Sequence, residues 1–299
     1  MKKFQKVSVI GVPMDLGQKR RGVDMGPSAM RYAGLIEEIQ SLDFEVEDYG
    51  DIYINRPGSS KEDGLRNLEE VIKASEELCR KVCEIEAEQS FPLILGGDHS
   101  ISIGSIAGIS QRHHNLGVIW YDAHPDLNTE ETSPSGNIHG MPLAVNLGIG
   151  HSRLTEIGGI VPKVKPENIV IIGARSIDEG ERELIKEQGI KVFTMHEIDR
   201  IGMTKVIEET IEHFAGRTDG VHLSFDLDGI DPLDAPGVGT PVLGGISYRE
   251  SHLALEMLAE SQLITSAEFV EINPILDNKN QTADVAVALV SSLLGKKLL

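Results

Sequence analysis

Cysteine is almost missing from this chain: its 299 residues include two, Cys79 and Cys83. A pair cannot build a disulfide framework. In "EELCRKVCEIEA" the spacing is helical with no histidine nearby, so both read as small apolar residues on a helix face and at most point to a reducing compartment. No apolar run is long enough to cross a bilayer, and "MKKFQKVSVIGVPMDLG" has a basic start but too short an apolar stretch for a secretory signal. A cytoplasmic protein with no membrane partner is expected. Basic residues are scarce, 28 Lys and Arg against 47 Asp and Glu, for a formal charge of −19. Nucleic acids and anionic membranes both require a positive footprint, so neither is an expected partner, whereas a small cationic ligand would be favoured. Much of that charge must be solvated surface such as "EIEAEQ", so it locates no site.

Linkers, repeats and low-complexity segments are also missing. With 40% apolar and 25% charged residues, the composition is that of an ordinary globular protein, and residues 1–299 read as one domain. Eight short β-rich runs punctuate it: "KVSVIGV", "FEVEDYG", "FPLILGG", "LGVIWYD", "NIVIIGA", "IKVFTM", "GVHLSFD" and "TSAEFVEI". Helical patterns fall near 27–40, 64–89, 101–113, 178–188, 203–215, 247–259 and 279–295. Such alternation predicts an α/β fold with a mainly parallel sheet of about eight strands and helices on both faces. Pro27 suits the first turn of its helix, where a missing N–H costs nothing.

Open α/β sheets collect ligands at the carboxyl ends of their strands. The acids of this sequence fall there. His99 follows "LILGGD", Asp122 closes "LGVIWYD", Asp226 and Asp228 end "GVHLSFDLD", and Glu271 ends "SAEFVE". On a strand, residues two apart share a face, so Asp226 and Asp228 are expected to point the same way. "YDAHPDLN" adds His124 and Asp126. Four carboxylates in one cleft repel each other and resist desolvation unless cations neutralise them. Two divalent ions would balance Asp122, Asp126, Asp226 and Asp228, with one imidazole each from His99 and His124. Oxygen-rich, thiolate-free ligands suit manganese better than zinc, although affinity order alone excludes neither zinc, cobalt nor nickel. The plainer alternative is that "DAHPD" and "DLDGIDP" are polar turns. A chance match to D-A-H-x-D arises on the order of once per hundred thousand windows, and three such motifs in order after three strands argue against coincidence.

"LGGDHS", "YDAHPDLN", "SPSGNIHG", "SFDLDGIDP", "GTPVLGGISYRE" and "EFVEINP" together resemble the ureohydrolase family, and within it the bacterial-type arginases. The resemblance runs from "GVPMDLGQKRRGVDMGPSAMR" almost to the end of the chain. It implies a three-layer α/β/α domain, two Mn2+ per subunit and hydrolysis of L-arginine to L-ornithine and urea. It also implies a homo-oligomer built from trimers, with a hexamer expected. The sequence departs from the family's pattern at Pro125, where Gly or Thr is expected. Proline biases His124 towards an extended backbone and removes a donor, which bears on loop flexibility and not on ligand identity.

The same resemblance implies residue roles. A guanidinium is a poor electrophile, so a hydroxide bridging the two metals would attack it, held by Asp126, which also ligates metal. His139 of "GNIHGMP" would shuttle the proton to the leaving amine, and Glu271 would orient the guanidinium. Asn128, Ser135 and Asn137 match positions that receive the α-carboxylate, Asp178 and Glu181 match those near the α-ammonium group, and Thr240 matches a further site position. Arg249 and Glu250 resemble oligomer-interface positions. "TEETSPSGN" also suits a solvated turn and "DEGE" the first turn of a helix, readings compatible with these roles.

Three rivals remain. An agmatinase-type enzyme would have no use for the carboxylate loop. A two-metal phosphoesterase would gather Arg or Lys near its site, where this sequence offers acids and amides. A non-catalytic relative should have lost ligands or the shuttle, and all are present.

Overall fold

A computed structural model describes residues 4–56 and 61–297. The strands are β1 (Lys6–Val12), β2 (Glu45–Asp51), a two-residue hairpin of β3 (Lys61–Glu62) and β4 (Leu65–Arg66), then β5 (Phe91–Gly96), β6 (Leu116–Tyr121), β7 (Ile169–Ala174), β8 (Lys191–Thr194), β9 (Gly220–Asp226) and β10 (Ile264–Val270). All except the hairpin form one parallel sheet in the order β2-β1-β5-β10-β9-β6-β7-β8. These eight strands match the eight β-rich runs of the sequence.

Strand alternation explains the layers. Val7, Val9, Leu93, Leu95, Ile119, Tyr121, Leu223 and Phe225 pack on one face against α1 (Gly26–Tyr32), α2 (Leu35–Ser41), α9 (Met203–Phe214), α10 (Tyr248–Ser261) and α11 (Gln281–Leu293). Their neighbours Ile10, Ile94, Val118, Trp120 and Ile171 face α3 (Leu68–Ala87), α4 (Ser102–Ile109) and α5 (Pro142–Asn146). Side chains two apart share a face of the pleat, so a sheet apolar on both faces needs a helical layer on each.

Several helix boundaries differ from the sequence reading. The helix expected at 27–40 is two helices, because Gly34 adopts a left-handed φ of 87° between them. The helix expected from residue 64 begins at Leu68, since Leu65 and Arg66 pair in the hairpin. The helix expected at 101–113 ends at Ile109 and is preceded by a 3-10 turn, His99–Ile101. Three short helices had no counterpart in that reading: α5, α6 (Ser152–Thr155) and α8 (Met195–Ile201). The last carries a legible start, a capping box in which Thr194 and Glu197 satisfy each other's backbone N–H groups. α7 (Glu179–Gln188) opens with the same device, formed by Asp178 and Glu181.

Candidate active site

The four central strands β5, β10, β9 and β6 end at one place, and each delivers a polar side chain there. After β5, the chain passes Gly97, where a Cβ would lie 2.3 Å from the Met14 carbonyl oxygen, so only glycine fits. His99 follows at the start of its 3-10 turn and stacks on Trp120 with centroids 4.1 Å apart. Its Nδ1 lies 3.0 Å from Asp122, 3.1 Å from Asp126 and 3.1 Å from Asp226, with hydrogen-bond geometry to none. His124 Nδ1 lies 3.1 Å from Asp228 and 3.5 Å from Asp122.

Local backbone bonds explain this convergence. The His124 N–H donates to Asp122 at 2.7 Å, curling the chain just beyond β6. Leu127 N–H donates to Glu181 at 3.1 Å, which ties the loop around Pro125 to the head of α7. Asp226 and Asp228 depart from the expectation of a shared strand face. β9 stops at Asp226, whose carboxylate accepts the Asp228 N–H at 2.7 Å, and Asp228 lies in a 3-10 turn. The turn aims Asp226 towards His99 and Asp228 towards His124. Asp126 and Glu271 hold left-handed φ values of 51° and 66°, costing about 1–3 kcal/mol each in residues that are not glycine.

The donor set fits metal ions. His99, Asp122 and Asp126 form one group of converging ligand atoms, and Asp122, His124 and Asp228 form another, so Asp122 is shared. Burial and the neighbouring Asp228 and Asp122 push Asp226 well above the usual carboxylate range. Burial and Asp122 push Asp126 up to about 6. Such crowding is stable only with protons or cations between the carboxylates. The unpartnered buried atoms His99 Nδ1 and Asp122 Oδ2 mark where a cation would sit.

A cavity of about 590 Å³ opens above this cluster. Of the residues singled out from the sequence, Asp126, Asn128, Ser135, Asn137, His139, Asp178, Glu181, Thr240, His124, Asp226 and Asp228 line it, while His99, Asp122 and Glu271 stand behind its surface. Several are already engaged. Glu181 is buried, and its two oxygens accept from the Leu127 and Asp178 backbones, so it fastens the loop. Burial pushes its carboxyl up to about 7. Asn128 donates to Asp178 at 2.9 Å and accepts from Thr132 at 3.0 Å. Thr240 donates to Asp228 at 2.8 Å. Ser135 Oγ accepts the Asn137 N–H at 3.1 Å, which shapes this part of the cavity wall. Glu250 caps α10 through Ser247, outside the cavity.

Glu271 is the hub behind the wall. One oxygen accepts from the His99 N–H at 3.0 Å and stands 3.1 Å from His139 Nδ1, and the other accepts from Gln18 at 2.8 Å. Burial disfavours charge on His139, but Glu271, Asp126 and Asp98 outweigh it and raise the imidazole to about 9. Sequence reading passed over Gln18, Asp98 and Arg175. Asp98 stands in the quoted "LGGDHS", wholly buried, and accepts from Gly17 N–H at 2.8 Å. Arg175 donates to the carbonyls of Asp228, Gly229 and Val242 at 2.7, 3.0 and 2.7 Å, pinning the Asp228 turn to the loop that carries Thr240.

A carboxylate and imidazole cluster beneath a polar cavity, at the carboxyl ends of a parallel sheet, defines a metal-binding α/β enzyme. The chain belongs to the Arginase family, which it matches over residues 5–295. It is 67% identical to the arginase of Bacillus subtilis strain 168 over 98% of this chain and 99% of that one, and 64% identical to the arginase of Bacillus caldovelox over 99% and 100%. A crystal structure of the Bacillus subtilis arginase superposes with a TM-score of 0.95 at 66% identity, covering 99% of this chain and 100% of the other.

Proposed function

We propose that this chain hydrolyses L-arginine to L-ornithine and urea at a centre of two Mn2+ held by His99, Asp122, His124, Asp126, Asp226 and Asp228. The observation that carries this reading is the pair of ligand groups sharing Asp122 at the floor of the cavity. When bound, the ions supply a strong nucleophile at neutral pH by lowering the pKa of coordinated water. Asp126 reaches both the ligand cluster and the cavity and orients the attacking oxygen. His139 lines the cavity beside Glu271, which favours its protonated form, and donates to the leaving amine. Glu271 accepts from Nδ1 of His139, which leaves Nε2 to give its proton to the leaving amine, and carries the negative charge that favours a guanidinium nearby. Asn128, Ser135 and Asn137 receive the α-carboxylate, Asp178 at the exposed rim faces the α-ammonium group, and Glu181 keeps Asp178 in place. Thr240 orients Asp228.

Residues 1–299 act as one catalytic domain. The assembly we propose is a homo-oligomer built from trimers, a hexamer, supported by exposed Leu233 and Leu243, 87% and 84% accessible. No helix among the described residues is long and apolar enough to cross a membrane. Cys79 and Cys83 are free thiols, which supports the cytoplasm as its location. Urea release from arginine and agmatine by metal-stripped and manganese-reconstituted protein tests the reading. Activity on arginine that needs manganese is expected, and equal turnover of the two substrates would overturn it.

A further inference from the structure

The middle of the sheet carries a buried polar seam. Where neighbouring strands place Ile94, Val118 and Trp120, β9 and β10 place His222, Ser224, Ser266 and Glu268, all of them 0% exposed. Glu268 accepts from Ser102 Oγ and Ser105 Oγ at 2.5 Å each and from Ser224 Oγ at 2.6 Å, with His222 Nε2 at 3.4 Å. Burial works against its charge, but His222 and the donated hydroxyls hold the carboxyl down at about 2. Ser224 Oγ also lies 2.8 Å from His99 Nε2. An ionised carboxylate only accepts, so the single hydroxyl proton of Ser224 goes to Glu268, and the oxygen of Ser224 must accept from His99. Nε2 of His99 therefore carries a proton, and Nδ1 is the atom turned towards Asp122, Asp126 and Asp226.

We infer that Glu268 is a positioning residue for the metal centre: acting through Ser224, it fixes His99 in the tautomer that presents Nδ1 to a cation. The inference rests on reading His99 as a ligand. Glu268→Gln can reverse the chain, because an amide N–H can donate to Ser224 and let its hydroxyl donate to Nε2. Ser224→Ala removes the link. Each variant should bind manganese about 10- to 100-fold more weakly in equilibrium dialysis, the range typical of losing a partner behind a ligand. The double variant should lose no more than either single one, since both break the same chain. Ser105→Ala removes a donor to Glu268 outside the chain and should retain affinity.

The ligand atom can be read directly in cadmium-loaded wild-type protein with 15N-labelled histidine. Coupling of His99 Nδ1 to 113Cd and a slowly exchanging Nε2 proton are expected. Coupling through Nε2, additive losses in the double variant, or wild-type affinity in Glu268→Gln would each overturn the inference. The cadmium spectrum tests the tautomer, on which the inference depends, even if the variants do not fold: coupling through Nε2 would overturn it. His99→Ala separates the two levels: full metal binding in that variant would defeat the ligand reading itself, whereas lost binding beside an unaffected Glu268→Gln would defeat only the role of Glu268.

Discussion

His139 Nδ1 stands 3.1 Å from Glu271 Oε1, a contact between residues 132 positions apart that joins the wall of the cavity to the carboxylate behind it. The His139 side chain is 16% exposed and Glu271 1%, so solvent screens the pair weakly. Glu271 also holds the His99 backbone and Gln18, which makes it a common support for His99 and His139.

This pair makes stability depend on pH. The imidazole of His139 is raised to about 9 in the fold against about 6.5 when unfolded, so its contribution is complete below about 6.5 and lost as pH rises through about 9. Glu271 is lowered: burial opposes its charge but His139 outweighs burial, so its contribution is present above about 4.5 and lost as the pH falls through its depressed value. Metal-stripped wild type should exceed His139→Gln by on the order of 3 kcal/mol near pH 6 and converge with it above pH 9 or so. Urea denaturation across that range checks this, and a gap that persisted at about pH 10 would contradict it.

Asp126→Asn removes charge from the ligand cluster while leaving the fold's core untouched. Metal analysis should find fewer ions per chain than in the wild type. Turnover should fall by more than the roughly ten- to hundredfold typical of losing a group behind a ligand. Chelation of the wild type should abolish urea release and returned manganese should restore it. Full activity in rigorously metal-free protein would exclude the proposed chemistry.

How much of this was legible beforehand follows from the kind of signal each residue carries. The strands were readable because β6 and β7 are unbroken apolar runs that end abruptly, and Asp122 marks such an end. The clustering of His99, Asp122, His124, Asp126 and Asp228 was readable because so many acids and imidazoles fall where strands stop. Glu268 was not, since "TSAEFVEI" alternates polar and apolar residues as a half-exposed strand does, and only packing against Ser102 and Ser105 of α4 shows that both faces are buried. Asp228 was placed by the wrong reason: period-two alternation gave the right neighbourhood, but the turn that delivers it depends on the side chain of Asp226 accepting a backbone N–H. Arg175 stood next to assigned residues, and its role needs carbonyls from two distant loops.

Arg175 therefore supplies a test of that tertiary wiring. Arg175→Met leaves the carbonyls of Asp228, Gly229 and Val242 without their charged donor, and each such bond contributes about 1.5–3 kcal/mol. A loss of roughly 3 kcal/mol or more in denaturant unfolding is expected, with Arg175→Lys recovering part of it. Because the Asp228 turn and Thr240 loosen together, metal release during dialysis should also quicken. An Arg175→Met protein of wild-type stability would show that the turn holds itself.

Selectivity for arginine over agmatine tests the part of the cavity wall formed by Asn128, Ser135 and Asn137. The two substrates share the guanidinium and differ by the α-carboxylate, which we assign to Asn128, Ser135 and Asn137. Asn128 is already committed to Asp178 and Thr132, so the larger share of recognition falls on Ser135 and Asn137. Asn137 lines the cavity, and its side-chain amide N–H, not its oxygen, is the group that can donate to a carboxylate. Hydrogen bonds to a charged group contribute about 1.5–3 kcal/mol each, so Asn137→Ala should lower kcat/KM for arginine by roughly ten- to hundredfold. Its effect on the small agmatine activity should be much less, because that substrate has no carboxylate to lose. Measuring kcat/KM for both substrates with wild type and variant decides the matter: equal fractional losses would remove Asn137 from carboxylate recognition and leave Ser135 and Asn128 to account for it.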